Sequence, residues 1–165
     1  MKRRSWWGIG PKAAIPTVIY LVASWALSWR FPDPFVMRFA PPIVWRVAGG
    51  VLVLLGMVSY FWMLRYLAVA LQRASFIRSG PYALVRHPLY AAWLILILPG
   101  TTLFSQSWLV MLTPFVFYVS LCLFIAEEEK SMREEFGEVY EKYMRETPRF
   151  FPITILRKIS RSQTQ

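Results

Sequence analysis

The sequence has few charged residues and almost no cysteine or histidine. Of its 165 residues 17% are charged, and Cys122 and His87 are the only residues of their types. A single cysteine excludes a disulfide-stapled fold, and a hydrophobic content of 56% excludes intrinsic disorder. The stretch 88–126 runs for 39 residues without Asp, Glu, Lys or Arg. A membrane span needs about 20 apolar residues, so this stretch indicates a membrane protein.

Four apolar segments of the chain are each close to the length of a membrane-spanning helix. They lie at 13–29, 47–64, 88–104 and 107–126, and the last two predict a tight hairpin. A cleaved signal peptide is the alternative for the first segment, although Trp25 and Trp29 make a poor cleavage site. Four prolines in 31–42 predict a stiff connection, and the glycines at 49, 50 and 56 predict close helix packing.

The only strongly charged helix is expected at 127–146, where one stripe is apolar. This stripe recurs at spacings of 4, 4 and 3 and consists of Met132, Phe136, Tyr140 and Tyr143. The pattern predicts an amphipathic helix that lies on the membrane surface or docks under the bundle and ends at Thr147-Pro148. The predicted fold is therefore all-α and polytopic, with four transmembrane helices and a cytoplasmic amphipathic C-terminal helix.

The positive charges are distributed unevenly along this predicted topology. Sixteen Lys and Arg residues lie in the N-terminal segment, in 65–86 and after 126, whereas the opposite side has only three. This bias predicts a multi-pass integral membrane protein with both termini in the cytoplasm. The net charge is +10, but the basic residues flank apolar segments, which favours contact with lipid headgroups and not with nucleic acid.

Polar residues capable of chemistry are concentrated on the cytoplasmic side. Arg86 and His87 directly precede a helix expected to start at Pro88, and basic side chains at a helix N-terminus form an anion site. A topology anchor is the alternative for Arg86, and a structural histidine is the alternative for His87.

A second polar cluster follows the fourth span, at residues 127–129. Three acids at such a position are often simply solvated, but Glu128 and Glu129 precede Met132 by four and three residues and border the apolar stripe. At least one of the two is therefore expected to point inward. Arg149, after the charged helix, is positioned to fold back toward the same pocket.

Five short motifs occur in one order along 79–152. They are Gly80-Pro81-Tyr82, Arg86-His87-Pro88-x-Tyr90, Glu128-Glu129-x-x-Met132, Phe136-Gly137-x-x-Tyr140-x-x-Tyr143 and Pro148-Arg149-Phe150-x-Pro152. This set resembles the isoprenylcysteine carboxyl methyltransferases and the related phospholipid N-methyltransferases, which are integral-membrane enzymes. The resemblance implies transfer of a methyl group from S-adenosyl-L-methionine to a lipophilic or amphiphilic acceptor at the cytoplasmic membrane face.

The resemblance also implies roles for particular residues. The implied cofactor-binding residues are Tyr82, Arg86, His87, Tyr90, Glu128, Glu129, Tyr140 and Tyr143. His87 is also a candidate to take a proton from an amine or thiol acceptor, and Arg149 is a candidate to orient the acceptor. No metal is needed, because the sulfonium of the methyl donor carries its own activation. The chain is then one domain, with N-terminal helices in 1–78, a cofactor-binding part in 79–152 and a loose tail in 153–165.

Two other function classes fit parts of the sequence. A non-enzymatic four-span assembly protein would account for the hydropathy and the amphipathic stripe. A membrane reductase with a nicotinamide cofactor would have a similar small helical core. The assembly class does not account for the basic motif at Arg86 and the glutamate pair occurring at the same membrane face, and the choice of cofactor distinguishes the reductase.

Overall fold

The computed structural model describes residues 9–71 and 76–152, which form helices and turns and contain no β-strand. The α-helices are α1 (Gly10–Arg30), α2 (Pro42–Leu71), α3 (Pro88–Ala92), α4 (Leu98–Leu103), α5 (Trp108–Met111) and α6 (Thr113–Glu146). A 3₁₀ turn at Gly80–Ala83 precedes α3. The all-α prediction is thus confirmed for this part of the chain, whereas the basic leader at 1–8 and the tail predicted at 153–165 lie outside the described residues.

A π-helical segment, Trp93–Ile97, joins α3 to α4. Pro88 occupies the first turn of α3, where a proline loses no helical hydrogen bond. Pro99 is different, because it lies inside the helical run, where it lacks an N–H and its ring opposes the carbonyl four residues earlier. The wider π turn lies directly before it, which lets the helical run continue to Leu103.

Within residues 9–71 and 76–152, two helical stretches have the length and composition of membrane spans, Pro42–Ala70 and Trp108–Glu146. Only 11% of the most apolar window of the first is buried within the protein. So much exposed apolar surface is expected of a helix that faces lipid and not of a soluble core helix. The helical run Pro88–Leu103 is also apolar but shorter.

Glycines bring α2 against the helical run that contains α4. A Cβ added at Gly49 would lie 2.7 Å from the carbonyl oxygen of Gly100, and one added at Gly56 would lie 2.6 Å from Cγ1 of Ile97. The predicted close approach of backbones is therefore confirmed at these two positions. Gly50 has nothing within 4 Å of such a Cβ and takes no part in this contact.

The hydrophobic core joins α1 to α6 and to the helices of the hairpin. Its buried members are Ile9, Ala13, Leu94, Leu98, Phe117, Leu121, Ile125 and Phe150. This packing places the first turn of α1 beside the glutamates that follow the apolar part of α6. There Lys12 forms an ion pair with Glu127, and the backbone N–H of Ile9 donates to Oε2 of Glu128 at 3.4 Å.

The opposite ends of the helices are joined by backbone hydrogen bonds. The N–H of Met37, in the connection between α1 and α2, donates to the carbonyl of Gln106 at 2.8 Å. The N–H of Trp108 donates to the carbonyl of Phe35 at 3.1 Å. The two loops on this side of the molecule therefore form one layer, away from the cluster of glutamates.

The separate C-terminal helix predicted at 127–146 is wrong in its boundary. Helix α6 continues through residue 127, because alanine, glutamate and lysine around that position are all good helix formers. The interruption comes later, at Gly137, whose φ of 53° and ψ of −132° are not helical. Only glycine adopts such a conformation at low cost. The end at Thr147 agrees with the prediction.

Candidate functional site

The two polar motifs predicted to lie at one membrane face meet in the structure. Arg86 and His87 lie just before α3, and Glu128 and Glu129 lie on α6. The nearest approaches of His87 are 3.6 Å from Nδ1 to Glu128 and 3.5 Å from Nε2 to Glu129. The imidazole and both carboxylates are therefore near enough to touch one small molecule.

Glu129 is the centre of an ion cluster that also contains Arg86, His87 and Arg149. The Glu129 side chain is 1% exposed. Arg149 donates to it from Nε at 3.1 Å and from Nη2 at 2.7 Å, and Nη1 of Arg86 lies 2.8 Å from Oε1. The prediction that at least one glutamate points inward is confirmed. The anion beside the predicted basic site is thus the protein's own carboxylate.

Backbone hydrogen bonds hold the two halves of this ion cluster together. The N–H of Arg86 donates to the carbonyl of Pro148 at 2.8 Å, and the N–H of His87 donates to the carbonyl of Arg149 at 3.1 Å. The segment after α6 therefore returns to the segment before α3, as predicted for Arg149. The side chain of Arg149 is 43% exposed, so this side of the cluster faces solvent.

Glu128 has looser contacts than its neighbour. Its Oε2 accepts from the hydroxyl of Tyr90 at 3.2 Å and from the N–H of Ile9 at 3.4 Å. Its side chain is 29% exposed. A partly exposed carboxylate beside a tyrosine and a histidine is suited to accept hydrogen bonds from an ammonium or a hydroxyl.

The surroundings of His87 favour its charged form. Burial alone would lower the pKa of the imidazole, but its contacts with Glu128 and Glu129 raise that pKa above its ordinary value. The nearby hydroxyl of Tyr82 is protonated, because burial and the charge of Glu128 raise its pKa to about 12. The site thus combines two carboxylates with a histidine whose charged form they favour.

Aromatic rings enclose the imidazole of His87. The ring of Tyr90 is stacked with it at a centroid distance of 5.9 Å and an interplanar angle of 27°. The buried Phe150 lies on another side, also at 5.9 Å. These rings restrict the orientation of the imidazole, which is a requirement for any group that must be aligned with a ligand.

A second group of rings, the aromatic wall, consists of Phe76, Phe136, Tyr140 and Tyr143. The ring of Phe76 is 5.0 to 5.8 Å from the other three. The hydroxyl of Tyr143 donates to the carbonyl of Tyr82 at 2.6 Å, which joins the wall to the turn before Arg86. Tyr82, Tyr140 and Tyr143 therefore lie together beside the ion cluster, and their role in cofactor binding stays a prediction from the resemblance.

Three buried donor atoms of the site have no hydrogen-bond partner among the described residues. They are Nε and Nη1 of Arg86 and Nε2 of His87. Nη1 and Nε2 lie close to Glu129, but their geometry does not form hydrogen bonds. Unsatisfied buried donors are costly, and their presence is expected where a ligand supplies the acceptor.

A cleft of about 350 Å³ adjoins the aromatic wall on its α2 side. Phe76 belongs both to the cleft and to the aromatic wall. The lining of the cleft includes Trp62, Arg65, Tyr66, Val69, Phe76 and Ser79. The cleft thus presents an apolar surface toward the spanning part of α2 and a cationic, hydroxyl-rich edge toward its end, where Tyr66 and Ser79 are hydrogen bonded at 2.7 Å.

Sequence patterns alone did not identify every residue of this site. Phe76 is a single aromatic residue in a loop, with no periodic pattern to indicate its place in the wall. Phe150 belongs to the Pro-Arg-Phe-x-Pro motif, and that motif was the available signal for its contact with His87. The N–H of Ile9 carried no signal, because a backbone contact does not depend on side-chain identity.

A family comparison agrees with this geometry. The model of the isoprenylcysteine carboxyl methyltransferase family matches residues 43–134, which is more than half of the chain. The chain belongs to this family. The matched region contains Arg86, His87, Glu128 and Glu129, so membership implies a membrane methyltransferase. No curated protein and no solved structure shows a significant match to the chain.

Proposed function

We propose that this protein transfers a methyl group from S-adenosyl-L-methionine to a lipophilic or amphiphilic acceptor at the cytoplasmic membrane face. The observation that carries the proposal is the convergence of Arg86 and His87 with Glu128 and Glu129. Two separate motifs of a methyltransferase family supply cations and a partly exposed carboxylate to one site, next to a group of aromatic rings.

The residues present are chemically matched to the methyl donor. Its amino-acid end is a zwitterion, which needs both a cation and a carboxylate. The buried Nε of Arg86 has no hydrogen-bond partner among the described residues and is available for the carboxylate end, and Glu128 has an acceptor oxygen for the ammonium end. Tyr82, Tyr140 and Tyr143 offer flat surfaces for the adenine ring. The bound donor would supply an activated methyl group, and no metal is required for that chemistry.

The protein's own contribution is orientation. Ion pairs and stacked rings fix His87 and Arg86 against α6, and a fixed site is what an in-line displacement needs. The contacts of His87 with Glu128 and Glu129 raise its pKa and so favour the charged imidazolium, which donates hydrogen bonds. Arg149, partly exposed at the edge of the ion cluster, is the proposed residue for orienting the acceptor.

The cleft beside the aromatic wall supports an amphiphilic acceptor. Its apolar lining from α2 continues into a helix whose surface is largely exposed and suited to lipid. An acyl or prenyl chain would lie along Trp62 and Val69, with its polar end toward Arg65. The acceptor would then reach the aromatic wall from the membrane, and the methyl donor would enter from the cytoplasm.

The proposed topology has four spans, formed by α1, α2, the Pro88–Leu103 run and the apolar part of α6, with both termini cytoplasmic. The positive charge bias supports it. Reporter domains fused after Asp33 and after Gln106 test this topology. Both fusions should report a non-cytoplasmic location, and a cytoplasmic signal from either one would contradict the topology.

A label-transfer assay tests the proposed activity. The purified chain is placed in liposomes made from a total membrane lipid extract and supplied with methyl-labelled S-adenosyl-L-methionine. We expect label in the lipid-soluble fraction, and mass spectrometry of that fraction identifies the acceptor. Thermal unfolding in detergent distinguishes a methyltransferase from a reductase. S-adenosylhomocysteine should raise Tm, whereas a rise in Tm with NADPH alone would contradict a methyltransferase.

A further inference from the structure

Glu128 and Glu129 are adjacent in sequence but have opposite surroundings. The family resemblance implies the same cofactor-binding role for both. Successive residues of an α-helix point about 100° apart, so α6 directs Glu129 into the protein and Glu128 toward the edge beside α1 and α3. The exposed fraction of the side chain, 1% for Glu129 and 29% for Glu128, reflects this difference.

Glu129 has little capacity left for a ligand. A carboxylate offers about four lone-pair sites. Arg149 occupies one site on each oxygen, and Nη1 of Arg86 and Nε2 of His87 both approach Oε1. Because the Glu129 side chain is only 1% exposed, a ligand could reach it only by displacing one of these cations, which would leave a buried charge unpaired.

Glu128 retains an accessible acceptor. Both of its hydrogen bonds from the described residues fall on Oε2, from Tyr90 and Ile9. Nδ1 of His87 lies 3.6 Å from Oε1, beyond hydrogen-bond distance. Oε1 therefore has capacity for a strong donor such as an ammonium group.

We propose that the two carboxylates have separate roles in the site. Glu129 is a positioning residue that holds Arg86, His87 and Arg149 in place and does not touch the methyl donor. Glu128 accepts the hydrogen bond of the ammonium group of that donor. This inference rests on the proposed function, because it takes S-adenosyl-L-methionine as the ligand.

Arg149 adds a second reason for separating the roles. Its two hydrogen bonds tie the segment after α6 to Glu129, and the backbone bonds of Pro148 and Arg149 extend this connection to Arg86 and His87. Glu129 thus joins three parts of the chain. Such a residue influences ligand binding through the groups that it orients.

The experiment combines substitutions in the protein with a change in the ligand. S-Adenosylhomocysteine and its analogue lacking the amino group are titrated calorimetrically into the full chain in detergent micelles. The variants are Glu127→Gln, Glu128→Gln and Glu129→Gln, and Tm is measured for each without ligand. Glu127 is the matched control, because it is the adjacent exposed glutamate and is paired with Lys12 instead of the ion cluster.

The proposal predicts a different pattern for each carboxylate. Glu128→Gln should weaken S-adenosylhomocysteine binding about tenfold to a hundredfold and leave binding of the amino-lacking analogue unchanged. Glu129→Gln should weaken both ligands by similar factors and also lower Tm. Glu127→Gln should change neither affinity. Arg149→Met should likewise weaken binding of both ligands by similar factors. This variant provides a second test if Glu129→Gln does not fold.

Three results would overturn the proposal. The roles would be reversed if Glu129→Gln or Arg149→Met weakened binding of S-adenosylhomocysteine but not of the analogue, while Glu128→Gln weakened binding of both ligands. Equal affinities of wild type and Glu128→Gln for S-adenosylhomocysteine would remove Glu128 from the ammonium site. Failure of the wild type to bind S-adenosylhomocysteine or S-adenosyl-L-methionine would overturn the proposed function itself, and the separate roles with it.

Discussion

Arg149 donates two hydrogen bonds to the carboxylate of Glu129, from Nε at 3.1 Å and from Nη2 at 2.7 Å. This geometry requires a planar guanidinium, which a lysine ammonium cannot replace. These two hydrogen bonds also connect Arg149, which is partly exposed after the last helix, to the buried carboxylate of Glu129. They fix the end of the chain's described part against the start of α3.

Arg149→Lys should therefore be destabilising despite conserving the charge. We expect a loss of about 1–2 kcal/mol in the free energy of unfolding, because one of the two parallel bonds disappears while Arg86 still pairs with Glu129. Chemical denaturation in micelles measures it. Arg145→Lys is the control, in the exposed last turn of α6. Equal effects of the two substitutions would contradict the bidentate pair.

The two neighbouring glycines of α2 should respond oppositely to alanine. Gly49→Ala places a Cβ 2.7 Å from the carbonyl oxygen of Gly100, so the helices must separate at a cost of about 1–3 kcal/mol. Gly50→Ala meets nothing within 4 Å and should stabilise α2 by up to about 1 kcal/mol through helix propensity. Thermal unfolding of both variants tests this, and a loss at Gly50 would contradict the described packing.

His87 should contribute a pH-dependent stability. Its folded pKa is above the ordinary value of 6.5, because its contacts with Glu128 and Glu129 outweigh the opposing effect of burial. The contribution is therefore fully present below pH 6.5 and is lost as pH rises through the folded pKa. The stability difference between wild type and His87→Gln should shrink over that window. A difference that is constant or grows with pH would contradict the raised pKa.

The sequence predicted the ion cluster better than its surroundings. Arg86, His87 and the two glutamates belong to motifs whose order and helix register predicted that they would lie together, and the structure brings them into one cluster. Gly137 was not recognised as the interruption of α6, because the stripe spacing continues across it and a single glycine is tolerated in many helices. Phe76 depends on tertiary packing with Tyr143, which no local pattern records.

Tyr143 and Tyr66 provide a matched test of the aromatic wall. The hydroxyl of Tyr143 donates to the carbonyl of Tyr82 at 2.6 Å in a buried setting, whereas that of Tyr66 meets the exposed Ser79. Tyr143→Phe leaves the carbonyl of Tyr82 without this hydrogen-bond donor and should lower the free energy of unfolding by about 1–2 kcal/mol. Tyr66→Phe should cost less, because water can replace the lost bond. Measured free energies of unfolding should show a larger loss for Tyr143→Phe than for Tyr66→Phe. A larger loss for Tyr66→Phe would contradict the buried hydrogen bond of Tyr143.

The proposed methyl-donor site is tested most directly by the affinity of the purified chain for S-adenosyl-L-methionine. Equilibrium dialysis measures this affinity for wild type and His87→Ala. We expect saturable binding to the wild type and at least about tenfold weaker binding to the variant, with circular dichroism verifying that the variant remains helical. Equal affinities would remove His87 from the site, and no binding to the wild type would contradict the methyltransferase assignment of this site.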